Sequence, residues 1–142
     1  RVDRRDPDNP HLWVTSRSNN QIRRMTFDGK IIETLHFPGG WPCRATFVGD
    51  HVVFPLIWAN STGRQRNNTG FVVILGPDNK SVSLVGGLPP QQQPDSYYRR
   101  DPRLKLPFIN PHDAFIDSDG DLYAPQWASR NTYPLKFKRV RG

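Results

Sequence analysis

Two short words set reactive side chains at matching places. Pro42-Cys43-Arg44-Ala45 aligns with Pro111-His112-Asp113-Ala114, so a thiol and an imidazole occupy equivalent positions in two copies of one pattern. Imidazole and thiolate are both metal donors. The plainer reading makes His112 a polar residue bonded to backbone beside Asp113, and Cys43 a small buried hydrophobe. Asp117-Ser118-Asp119-Gly120-Asp121 alternates carboxylates as a calcium loop does. The downstream Glu of such a loop is absent, so a tight turn is expected there. A single Cys excludes an internal disulfide and any multi-cysteine metal cage. His11, His36 and His51 show neither HxH nor HExxH spacing, and Gly39-Gly40 and Gly86-Gly87 lack the phosphate-loop frame. No Ser stands in a GxSxG context. The chain reads as a binding module rather than an enzyme.

The elements that position these residues are strands. Leu12 to Thr15 is a short strand, and Gln21 to Phe27 alternates apolar with polar. Asp28-Gly29 then marks a hairpin into Lys30 to Leu35. A second unit runs Cys43 to Val48, His51 to Ala59, Phe71 to Leu75 and Ser81 to Val85. A third opens at Pro111 with His112 to Ile116, Leu122 to Ala124 and Tyr133 to Val140. Units of about four strands recurring every ~40–50 residues predict an all-β fold of β-propeller type. The expected organisation is a linker or tail at 1–10, a first blade at 11–37 without its innermost strand, and a second at 38–87. A Pro/Gln/Tyr/Arg-rich insertion at 88–109 follows, then a third blade at 110–142 without its outermost strand. About three blades leave a ring open, so the chain is expected to need further blades, in the same or another chain.

Composition agrees. Of 142 residues 14 are Pro and 11 Gly, which opposes long helices. Hydrophobic content is only 35 %, yet 11 % of residues are aromatic, which a disordered chain lacks. No apolar run approaches the ~20 residues that span a bilayer. The sequons at Asn60, Asn67 and Asn79 are candidate glycosylation sites and favour a secreted, extracellular or periplasmic setting.

The words Val14 to Met25 and Asn110 to Ala124 resemble NHL repeats, well in the first and third units and through hydrophobic pattern alone in the second. The resemblance implies a propeller, six-bladed in most of that family, with the first strand of each blade lining a central channel. NHL-type propellers include peptidyl-hydroxyglycine amidating lyases, whose zinc is held by histidines on alternate blades. The resemblance therefore implies a zinc role for His112, with Cys43 at the matching place of the next blade. Some NHL propellers bind RNA on a basic face.

The expected role is a rigid binding platform for a protein or glycan partner, presenting Trp41, Trp58, Tyr97, Tyr98, Arg99, Arg100 and Trp127 from loops. A zinc-dependent lyase using His112 and an RNA-binding propeller are the alternatives. The net charge of +7 gathers at Arg23-Arg24, Arg64-Gln65-Arg66, Tyr97 to Arg100 and Lys136 to Arg141. Were RNA the partner, log K should fall by roughly 0.7 per single-strand phosphate contacted as log salt rises. No detectable RNA binding at about 50 mM salt would eliminate that alternative.

Overall fold

The computed structural model describes residues 1–60, 62, 65–88, 97–105, 108–130 and 133–140. These form antiparallel sheets and a single 3-10 turn. The first sheet runs in the order β1 (Val2–Asp3), β2 (His11–Ser16), β3 (Gln21–Met25), β4 (Ile31–His36). The second contains β5 (Gly40–Pro42), β6 (Thr46–Val48), β7 (His51–Ala59), β8 (Phe71–Leu75) and β9 (Ser81–Val85). A two-strand ribbon of β10 (Gly87–Leu88) and β11 (Arg99–Arg100) follows, then a third sheet of β12 (Phe115–Ile116), β13 (Leu122–Ala124) and β14 (Leu135–Phe137). Among the described residues the sheets do not close into a ring.

β7 is the axis of the molecule. Its run from Val52 to Ala59 is buried throughout, as expected of a strand covered on both faces. One core joins Trp13, Ile22 and Phe37 of the first unit to Val53, Phe54 and Phe71 of the second, to Phe108 just before the third, and to Leu122 and Ala124 within it.

Pro55, in the middle of this strand, shapes the neighbouring edge. Within a strand, a residue's N–H and C=O point to the same side. The Pro55 carbonyl accepts the Cys43 N–H at 2.8 Å, so the donor that proline lacks also faces the inner strand. The inner strand breaks at that point. β5 pairs with β7 through Pro42↔Leu56 and β6 through Thr46↔Val53, while Cys43 to Ala45 fall between them outside any strand. The expected continuous strand from Cys43 to Val48 is thus replaced by a break, and His112 to Asp113 likewise precede β12 rather than lying in it.

The expectation for residues 1–10 is corrected. Val2–Asp3 supplies an innermost strand, paired through Val2↔Leu12 and Asp3↔His11, so the first sheet has four strands. A network too local to show in hydrophobic pattern fixes it. Asp3 accepts the Arg5 backbone N–H at 3.1 Å, Arg5 Nη2 at 2.8 Å and Trp13 Nε1 at 2.9 Å. Arg5 then reaches the second sheet, donating to the Asp50 carbonyl at 3.1 Å and to Asn79 Oδ1 at 2.8 Å. Its guanidinium lies 5.5 Å from the ring centroids of both Trp13 and Phe47. Asp101 and Arg103 repeat the clamp, with Nε and Nη2 bonded at 2.9 and 2.7 Å, within the stretch expected to be an insertion. Residues 89–96 of that stretch lie outside the described residues.

Three turns share one hydrogen-bond pair. Thr26, Gly76 and Asp117 each donate N–H to the carbonyl four residues on (2.9, 2.9 and 3.1 Å), and each carbonyl accepts the N–H three residues on (3.1, 3.0 and 3.0 Å). The left-handed position is Gly29 (φ 92°), Asn79 (φ 61°) or Gly120 (φ 86°).

Burial raises the Asp3 carboxyl, but the Arg5 side-chain and backbone bonds, the Arg5 charge and Trp13 together outweigh it, leaving Asp3 below the usual 3.8. A depressed carboxyl stabilises the fold above its unfolded value and loses that contribution as pH falls through its folded value. Asp3→Asn should therefore cost ~1–3 kcal/mol in urea melts at pH 7. The gap to the unmodified protein should narrow as pH drops below 3.8. A gap independent of pH would contradict this account.

Candidate functional site

The break in the inner strand delivers Cys43 and Arg44 to the seam where the three sheets meet. From the first sheet, β2 ends in the 3-10 turn Arg17–Asn19, closed by Asn20 in the left-handed region at φ 55°. Asn20 Nδ2 donates to the Gly40 carbonyl and Thr15 Oγ1 to the Cys43 carbonyl at 3.1 Å, tying this turn to the broken strand. From the third sheet, the Pro111↔Gln126 bridge and the His112 N–H on the Pro125 carbonyl at 2.9 Å hold the segment before β12.

Arg17 occupies the centre. Its Nη2 lies 3.4 Å from Cys43 Sγ and 3.4 Å from His112 Nε2. Beside it Arg44 pairs with Asp113, whose Oδ1 also accepts the Ala114 N–H at 3.0 Å. The structure thus brings together His112 and Cys43, joined by a residue that sequence reasoning passed over. The signal for the ion pair was present in the aligned words, which set Arg44 against Asp113 in consecutive copies. Nothing in the sequence marked Arg17.

These donors do not fit a zinc ion. Burial pushes the Cys43 thiol up to about 11 despite the Arg17 charge, so it is not a thiolate at neutral pH. Partial burial, then the Arg17 charge, lowers His112 below its usual 6.5 against the opposing pull of Asp113. The imidazole is neutral, but a guanidinium occupies the approach to its Nε2. Among the described residues no group of three His, Cys, Asp or Glu is arranged to hold a metal. The calcium-like word is a turn: Asp117 Oδ1 accepts the Asp119 and Asp121 N–H groups at 3.1 and 2.9 Å, and Lys136 Nζ lies 2.9 Å from Asp121.

The aromatic half of the site adjoins Cys43. Trp41, Trp58 and Trp127 form a chain of edge-to-face contacts, with ring centroids 5.1 Å apart for Trp41–Trp58 and 6.4 Å for Trp58–Trp127. Trp58 and Cys43 share a small buried cluster against which Trp41 packs. Trp58 Nε1 donates to Asn110 Oδ1 at 2.9 Å, and the Asn110 carbonyl accepts the Trp127 N–H at 2.9 Å. Trp127 is 52 % exposed, whereas Trp58 is 4 % exposed.

That burial corrects two expected surface residues. Trp58 is a support beneath the surface, and Tyr98 is a core residue whose ring lies 5.7 Å from that of Phe37. Tyr97 stays exposed and closes over the turn at Gly39, where φ is 73° and a Cβ would lie 2.9 Å from Tyr97 Cδ1. Arg99 is exposed on β11, away from the tryptophan chain in sequence, while Arg100 is spent on the Asn68 carbonyl at 2.9 Å. Among the sequons, only Asn67 is exposed. Asn60 is buried with Oδ1 accepting from Thr62, and Asn79 donates Nδ2 to Glu33 at 3.2 Å. The basic pairs Arg23-Arg24 and Arg99-Arg100 lie on different sheets, and Arg64 and Arg141 fall outside the described residues.

Comparison with protein-family models, with curated proteins and with solved structures finds no match to this chain.

The guanidinium at Nε2 should be visible in the titration of His112. By proton NMR its midpoint is expected below 6.5, and Arg17→Gln should raise it. A midpoint at or above 6.5 that Arg17→Gln leaves unmoved would contradict the geometry.

Proposed function

We propose that this chain is part of an NHL-type propeller, secreted or periplasmic, and serves as a rigid binding platform for a glycan or protein partner. The observation that carries this is the tryptophan chain. Trp127 offers a half-exposed indole braced edge-on by buried Trp58, itself bonded to Asn110. An aromatic face held in place before a ligand arrives loses little entropy on binding. The backing cluster of Cys43, Ile57 and Trp58 is buried, which fixes the underside of the platform by packing. Sugar rings with exposed C–H faces, or apolar side chains of a protein, suit such a surface. The exposed sequon at Asn67 supports the extracellular setting.

Titration of a panel of soluble oligosaccharides, followed by intrinsic tryptophan fluorescence, tests the reading. A binder should quench or shift the signal, and Trp127→Ala should weaken it by ~10–100-fold, the cost typical of an aromatic anchor. Thermal stability should barely change, because Trp127 is half-exposed. Binding that survives Trp127→Ala undiminished would remove the platform from the account.

A further inference from the structure

We propose that Arg17 is a carboxylate anchor and that the ligand class of the platform is a uronic-acid glycan. This rests on the platform reading and adds to it the chemical group that confers selectivity.

The argument begins from hydrogen-bond supply. A guanidinium has five N–H donors and a charge it cannot lose. Arg17 gives two long contacts of 3.4 Å, one to a thiol sulfur and one to an imidazole nitrogen, both uncharged. None of the ion pairs among the described residues includes it. The nearest carboxylate in the cluster, Asp113, is taken by Arg44. Arg5 and Arg103, by contrast, each close a two-point clamp on an aspartate.

The surroundings admit one. Arg17, Arg1 and Arg44 line an open groove of about 630 Å³ with Thr15, Cys43 and Ala45. Cys43 links this groove to the tryptophan chain through the cluster it shares with Trp58 and Trp41. A fork of guanidinium donors matches a carboxylate, and an exposed indole matches the C–H face of a pyranose, so an acidic oligosaccharide long enough to reach both is the ligand that suits them together. A nucleic-acid strand needs instead a row of cations spaced along its backbone. The remaining basic clusters lie on separate sheets and form no such row.

His112 supplies an internal reporter. Because Arg17 can only donate, His112 Nε2 faces it as an acceptor and the ring proton sits on Nδ1. A carboxylate seated on Arg17 offsets the charge that suppresses imidazole protonation, so binding should raise the His112 midpoint.

The experiment compares trigalacturonate with its methyl ester, which keeps the rings and removes the charge. Tryptophan fluorescence gives affinity, and proton NMR gives the His112 titration. The acid is expected to bind at least ~10-fold more tightly than the ester and to raise the His112 midpoint, which the ester leaves in place. Arg17→Gln should bring the acid down to the affinity of the ester without changing the ester. Arg17→Lys, which keeps the charge and loses the fork, should fall between them and serves also where Arg17→Gln fails to fold. Equal binding of acid and ester would overturn the anchor while leaving the platform standing, provided Trp127→Ala still abolishes both. Binding of neither sugar would overturn the ligand class. Arg17-dependent binding of oligouridylate, with neither sugar bound, would replace the glycan by RNA.

Discussion

A missing hydrogen-bond donor organises this molecule. Pro55 lies at the centre of the most buried strand, and the side on which it lacks an N–H is the side of the inner strand. A ladder cannot run past such a point without an unpaired group, so the inner strand divides. The residues released by the division are Cys43 and Arg44. The same run that supplies the core therefore fixes where the polar seam opens.

The seam holds its polar groups by opposite solutions. At the junction of the first and second sheets, Arg5 is fully committed: a carboxylate, a carbonyl, an amide and two aromatic faces take up its guanidinium. At the junction of all three units, the partners of Arg17 among the described residues, Cys43 and His112, are neutral. The first arrangement makes a joint, since every interaction is satisfied within the chain. The second keeps an electrostatic demand open. Arg5 follows β1 and Arg17 follows β2 of the same sheet, and the contrast between them is one of partner chemistry.

Much of the strand pattern was legible because period-two alternation and turn residues are local signals. The turns at Asp28-Gly29 and Asp117 to Gly120 and the strand β7 could be read from spacing and turn residues. What escaped was whatever depends on partners distant in sequence. β1 spans two residues and carries no hydrophobic pattern; it exists because Asp3 finds Trp13 and Arg5, and Arg5 finds the second sheet. Trp58 and Tyr98 look like surface aromatics in sequence because indole and phenol tolerate either setting, and only packing decides between them. Arg17 sits in a polar turn of ordinary composition, and its role comes from two residues 26 and 95 positions away.

The recurring turn has a bearing on how such a chain can change. One pair of backbone hydrogen bonds closes it at Thr26, Gly76 and Asp117, while the side chains differ at the first two places and Asp holds the third in each copy. The left-handed position accepts glycine or asparagine, and the first position accepts threonine, glycine or aspartate. Because the closure is carried by the backbone, the turn behaves as an interchangeable joint, and only its uncommitted side chains, such as Phe27 and Pro77, are free to drift. Variation can accumulate on these corners without disturbing the register of the strands they connect. The seam around Arg17 has no such freedom, since each contact there belongs to a different unit. Corners and seam thus divide the chain into a part open to drift and a part that can change only in concert.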